Sequence, residues 1–307
     1  MARYLIVRAG LGLVTIVGVV LLTFVLQFSL PGDPARRIAG PRASPEVLAT
    51  VRANLHLDDP IGSQLVTYVA DVAQGDLGVS YIRRRPVIDL IMERLPATAV
   101  LALGGLIVEV ILGGGLGLWD GLRRRRSRGL AAANVVLLSI PTYSLGFLLL
   151  VVFAYRLDLL PLGGGTSPEE LILPAMTLGL FGVPYYAAVV SESTRTALSS
   201  PYMRTAVAKG LPRRVILRRH VLRNCLSPVI TLAGLDVAIY LSGVVFVESV
   251  FAWPGIGELQ EQAYNELDRP LLMGTVIIAA VVVVAFNLVA DVVRVLVDPR
   301  ARVEEAG

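Results

Sequence analysis

The chain has 307 residues, 55% hydrophobic and 17% charged, with a mean hydropathy of +0.69, which is too apolar for an ordinary soluble domain of this length. A net charge of +4 and a pI near 9.4 are compatible with nucleic-acid binding. The arginines, however, gather beside long apolar runs, as they do where a chain leaves a membrane, so no nucleic-acid partner is expected. Cys225 is the only cysteine, which excludes an intrachain disulfide.

A membrane span needs about 20 apolar residues. The first runs from Ala9 to Leu30 behind Arg3 and Arg8, and Pro31-Gly32-Asp33-Pro34 stops it. The run is too long for a secretory signal, and no small-residue cleavage site precedes Pro31, so it is expected to stay as an anchor. From there to Leu95 the chain is polar, with helices expected at Ser44–Asn54, capped by Ser44, and at Ile61–Gln74. Long loops translocate whatever their charge, so this segment is expected outside the cell membrane.

Further spans are expected at Ala97–Trp119, Leu130–Phe153, Leu171–Val190, Pro228–Val250 and Leu271–Leu296. The loop Arg123 to Arg128 is a strong inside signal and a contact for lipid headgroups. The loops at 156–170 and 252–269 carry most of the acids between spans. The result is an all-α membrane protein of six spans with both ends inside. Residues 1–95 form one part, the first span plus the extracytoplasmic segment. Residues 96–307 form a five-span core with a cytoplasmic loop at 195–225.

That loop carries Arg195, Arg204, Lys209, Arg213, Arg214, Arg218, Arg219 and Arg223 and no carboxylate up to Asn224. It reads as two short helices. Ser200 and Pro201 suit the start of the first, Gly210 its left-handed end, Leu211 a contact back onto its last turn, and Pro212 its stop. Small residues in the middle (Thr205, Ala206, Ala208) admit a close approach by another protein. A rigid basic helix held by spans is a docking element for a force-generating partner.

Stretches spread over most of the chain carry a family resemblance: Pro31-Gly32-Asp33-Pro34, Gly75-Asp76-Leu77-Gly78-Val79-Ser80, Leu95-Pro96-Ala97-Thr98, Ser139-Ile140-Pro141, Leu159-Leu160-Pro161, Arg204 to Gly210, Glu248 to Gly257, and Asp298-Pro299-Arg300. In this order they resemble the membrane subunit of ATP-binding-cassette importers of the dipeptide, oligopeptide and nickel class, most of all the B-type permease. The family's cytoplasmic motif has Glu-Ala-Ala, three variable residues and Gly. Here Arg204-Thr205-Ala206 precede Gly210 at that spacing, a version similar to that of the peptide branch. His56, where Gly is usual, and Leu267-Asp268-Arg269-Pro270, where Arg-Asp-Tyr-Pro is common, depart from the pattern.

The resemblance implies a type I importer permease in the bacterial inner membrane. It implies a homologous second permease, two ATPase subunits and an extracytoplasmic solute-binding protein as partners. The coupling surface it implies is Tyr202, Met203, Arg204, Thr205, Ala206, Lys209, Gly210 and Leu211. It implies uptake of dipeptides or oligopeptides; similar systems carry nickel chelates, glutathione or haem. No cofactor is expected in this chain, with ATP and magnesium held by the ATPase partners. In agreement, there is no G-x-x-x-x-G-K-[ST], and neither His56 nor His220 has metal-ligand spacing.

Polar groups inside spans are costly and default to functional candidates. They are Glu109, Asn134, Asp236, Glu248, Asn287 and Asp291. Glu109 and Asp236 are the pathway candidates, because a buried acid would attract a peptide's ammonium. Asn287 and Asp291 share a helical face, as interhelix contacts would. An intramembrane enzyme would need a nucleophile and base at membrane depth, yet there is no G-x-S-x-G and no histidine in a span. A channel or secondary transporter acting alone would favour internal repeats, and none is evident.

Overall fold

In lipid every backbone polar group needs an internal partner, so apolar runs of this length cross as helices. The computed structural model describes residues 2–29, 33–40, 42–55, 57–123, 125–165, 167–241 and 244–297. His56, Arg124, Gly243, Pro31-Gly32 and Asp298-Pro299-Arg300 lie outside the described residues. Among the described residues the regular structure is helical, apart from one isolated bridge between Val79 and Pro86. Among the described residues five helices are long and apolar enough to cross a membrane, and a bent pair counted as one span makes six.

The first span lies in helix Ala2–Ser29 and packs on the sixth, helix Arg269–Val297. An ion pair at 3.3 Å joins Arg8 to Asp291 across that contact. Between the first and second spans come three short helices. Pro34–Ala39 follows an Asp33 cap that the sequence offered only as a stop. Pro45–Asn54 is capped by Ser44, and Ile61–Ala73 ends at Gln74, both as expected.

The second span is longer than expected, a continuous helix from Val87 to Gly121 that runs through Pro96 and contains a wide turn at Glu109–Gly113. The third is not one straight crossing of 130–153. Helix Arg128–Ser139 and helix Thr142–Arg156 meet at 102°. Pro141 drives Ile140 into extended backbone (φ −89, ψ 121), and the helix stops there. The fourth span, Pro168–Ser199, reaches well past Val190. The fifth departs most from expectation: its helix is Arg213–Leu241, not 228–250. Pro228 lies inside it, and Arg213 to Arg223 form its first turns rather than a second short helix. Val245–Val250 is a separate helix, and Ile256–Glu266 follows it at a corner before the sixth span.

The second and fourth spans touch through glycine. A Cβ on Gly105 would stand 2.8 Å from Leu178, one on Gly117 2.9 Å from the Ala187 Cα, and one on Gly121 2.5 Å from the Thr194 Cβ. From the other side, Gly179 faces Val108 and Gly182 faces Glu109 at contact distance. Small residues let two helix backbones approach until dispersion and backbone dipoles hold them. A core of Leu101, Leu145, Leu173, Leu178, Tyr240 and Phe251 joins this pair to the third and fifth spans.

Gly117→Val forces the side chain against backbone atoms that cannot turn aside, and is expected to cost about 3 kcal/mol. Gly115→Ala, where the added methyl meets nothing within 4 Å, is expected to stabilise by up to about 1 kcal/mol. Thermal unfolding of the two purified variants in detergent measures the contrast.

Candidate coupling surface and intramembrane polar sites

The stretch expected to dock forms helix Pro201–Ala208. Ser200 has the extended backbone of a cap, but its hydroxyl donates back to the Ala197 carbonyl at 2.6 Å instead of capping the helix. Gly210 is left-handed at φ +70, where a side chain is strained. Its N–H donates to Val207 O at 2.9 Å and that of Leu211 to Ala206 O at 3.3 Å, the expected closure of the last turn.

The expected surface residues separate onto two faces. Met203 and Ala206 are buried, and Met203 packs with Val190, Val221 and Cys225 of the fourth and fifth spans. They anchor the helix and do not present it, so the close approach read at Ala206 is taken up by the chain's own bundle. Tyr202, Arg204, Thr205, Val207, Lys209 and Gly210 are exposed. The Tyr202 hydroxyl accepts from Asn224 Nδ2 at 3.0 Å, a second tie to the fifth span.

One turn before the docking helix, Arg195 donates to the Asp120 carboxylate at 3.1 Å and its carbonyl at 2.7 Å, and to Arg123 O at 3.2 Å. Asp120 also accepts from Ser127 N and Ser191 Oγ, each at 2.7 Å. The end of the second span is thereby bolted to the span that carries the docking helix. Sequence reading passed over Asp120, which looks like an ordinary acid at the end of an apolar run.

The intramembrane candidates have different surroundings. Glu109 is fully enclosed in the wide turn of the second span, its carboxylate bonded by the Tyr240 hydroxyl and set against Gly182. Its second oxygen has no partner among the described residues. Asp236 is half-buried and accepts from Tyr186 Oη at 2.6 Å. The two acids thus sit in one cluster where the second, fourth and fifth spans meet. Asn134 is half-buried beside Asp120 and Ser191. Asn287 is exposed and does not share the ion pair of Asp291.

Glu248 has a structural position. Fully buried, it accepts from Thr98 Oγ1 at 2.8 Å, Gly257 N at 2.6 Å and Glu258 N at 3.1 Å. It therefore satisfies the free N–H groups at the start of the corner helix and ties them to the second span. Thr98 Oγ1 accepts from Ile256 N at 2.9 Å, and Trp253 Nε1 donates to Ala97 O at 2.8 Å. Gly163-Gly164-Gly165 lies against this corner. Gly164 N donates to Phe251 O at 3.1 Å, and any side chain on Gly163 would strike that carbonyl.

Asp268, another site the sequence did not single out, is fully buried and accepts from Ser80 Oγ at 2.5 Å, Tyr81 N at 3.1 Å and Ile82 N at 3.2 Å. Next to it Arg83 pairs with Glu266 at 2.5 Å and Gln262 at 2.8 Å. Burial pushes the Tyr81 phenol up, against the pull of the Arg269 charge. The 75–80 motif is thus fastened to the corner at the end of the bundle opposite the docking helix.

Residues 110–303 match the family model described as binding-protein-dependent transport system inner membrane component, and residues 1–102 match that described as its N-terminal part. The chain is 38% identical to a glutathione transport system permease protein, GsiC, of Escherichia coli O6:H1 and to that of Salmonella paratyphi A, over 98% of this chain and 99% of each relative. Among solved structures it is similar to an inward-facing form of the MetNI methionine ABC transporter, with a TM-score of 0.55, 15% identity, and 69% of this chain and 97% of that one covered.

Glu248→Ala leaves three buried donors unpaired and is expected to cost about 3 kcal/mol or more. Glu248→Gln keeps an acceptor and is expected to cost less. Thermal unfolding of the purified chain ranks the two.

Proposed function

This chain belongs to the binding-protein-dependent transport system inner membrane component family, and from that premise we propose that it takes up short peptides, glutathione foremost, through a motion driven at helix Pro201–Ala208. It is the permease subunit of an ABC importer, a multi-pass inner-membrane protein that is not itself an enzyme. In this reading the docking helix faces the cytoplasm, as do both termini. The segment of residues 33–86 and the corner at 252–268 face outward to a solute-binding protein. Two ATPase subunits bind below, holding ATP and magnesium, and a homologous permease completes the pathway; this chain holds no cofactor.

One observation carries the coupling role: a helix anchored by Met203 and Ala206 turns Arg204, Thr205, Val207 and Lys209 away from its own bundle. The extended residue Ser200 alone separates this helix from the end of the fourth span, one turn beyond Arg195. A push on that face reaches the second and fourth spans together. ATP shifts the balance only in so far as it binds one state of the assembly better than the other. Support for glutathione comes from likeness along the full length to permeases named for it, and glutathione is itself a tripeptide within the peptide class.

The test is ATP-dependent uptake of labelled glutathione and dialanine by proteoliposomes holding this chain, its second permease and the two ATPases, with binding protein supplied. Uptake that needs ATP and all subunits is expected. Transport by the chain alone, indifferent to ATP, contradicts the reading. Gly210→Val, which strains φ +70 by about 1–2 kcal/mol, is expected to lower uptake roughly tenfold while membrane insertion is kept. Ala206→Asp, which puts a charge into the anchoring face, is expected to do the same. Wild-type uptake by both variants would show that this helix is not the coupling element.

A further inference from the structure

A cavity of about 750 Å³ opens between the end of the first span, helices Pro45–Asn54 and Ile61–Ala73, and the loop at 76–86. That volume is within the range of small-molecule sites. One wall is rigid: Ser80 to Ile82 are held by Asp268, and Arg83 by Glu266 and Gln262. Tyr68 also lines it, its ring 5.7 Å from that of Phe24 and its hydroxyl buried near Thr23. The lining is mixed, with Phe24, Ile38, Val51 and Leu57 beside polar and charged groups.

The charges are distributed unevenly. Of three successive arginines, Arg83 is taken by Glu266 and Arg85 by Glu93, whereas Arg84 forms no ion pair among the described residues. Arg84 sits at φ 53, a left-handed backbone that a side chain adopts at a cost, and lines the cavity. Asp71 lines it too, likewise without an ion pair among the described residues, and the two are not paired to each other. A cation and a carboxylate that line one cavity without pairing to each other match a ligand that carries both charges. A simple phosphate fits less well, because Asp59 and Asp71 both line the same cavity.

We infer that this cavity is a second peptide site, outside the bundle, which holds a short zwitterionic peptide with its ammonium on Asp71, its carboxylate on Arg84 and its apolar part over Phe24 and Tyr68. The site lies on the end of the bundle where substrate arrives. The inference rests on the reading of the chain as a peptide importer. The bound peptide is in position to be passed along the Asp268 wall toward the corner helix and the mouth of the pathway.

The assembled transporter in proteoliposomes tests it, with trialanine and glutathione as probes and N-acetyl-trialanine amide as the uncharged control. Wild type is expected to take up trialanine and to be inhibited by glutathione but not by the blocked control. Asp71→Asn and Arg84→Gln are each expected to raise the KM for trialanine about tenfold, the loss of one charge-assisted contact. The kcat should stay near that of wild type, and Asp71→Glu and Arg84→Lys should recover most of the affinity. A trialanine analogue bearing a photoreactive diazirine should label residues lining this cavity in the wild-type complex.

If wild type takes up no peptide, the reading of the chain as a peptide importer fails. If wild type transports while both neutralised variants keep its KM, or while the label falls only among the spans, the importer reading stands and this site is overturned. Native mass spectrometry that finds a phospholipid held in the wild-type complex and lost in both variants also overturns it, because the cavity would then be a lipid seat.

Discussion

The contact on which the rest depends is that of the second and fourth spans, made by glycines too close to the facing backbone to accept a methyl group. Gly105, Gly117 and Gly121 on one side and Gly179 and Gly182 on the other leave no space for the helices to slide or part without losing the whole line of contacts. In lipid, where no hydrophobic drive separates one apolar surface from another, such close packing is what makes two helices one body. Arg195 closes the same pair at the end that carries the docking helix, through the Asp120 carboxylate and carbonyl. Glu248 and Thr98 close the other end of the second span onto the corner helix. The second span is thereby fixed at both ends, to the fourth span at one and to the corner helix at the other.

The buried acids divide by what they hold. Glu248 and Asp268 accept several backbone N–H groups each and fix loops that would otherwise carry unsatisfied donors. Asp120 and Asp291 are tied to arginines on neighbouring spans. Glu109 and Asp236 are different: their partners are tyrosine hydroxyls, Tyr240 and Tyr186, and they sit between the rigid pair and the fifth span. The fifth span has no run of glycine contacts to the pair comparable with theirs among the described residues.

Much of this was legible in the sequence wherever local chemistry decides the outcome. Ser44 before Pro45, Gly210 before Pro212 and the arginine clusters each act within a few residues, and the structure places helix ends at them. What the sequence did not reveal depends on partners far along the chain. Thr98 meets Glu248 across 150 residues, and Ser80 meets Asp268 across 188. Proline shows the limit most plainly. Pro141 breaks the third span, while Pro96 and Pro228 sit inside continuous helices. The same missing N–H is tolerated where packing holds the helix together and is decisive where it does not. The inward face of Met203 and Ala206 was hidden for a related reason: an eight-residue helix with small and apolar residues on several sides has no preferred face until a bundle supplies one.

The rigid pair is tested most directly by electron-spin distances between labels at Leu116 on the second span and Tyr185 on the fourth, both exposed on the bundle, measured in the assembled transporter with and without ATP. One unchanged distance distribution is predicted, while labels placed across the second and fifth spans move. A Leu116 to Tyr185 distance that shifts with nucleotide would contradict the account.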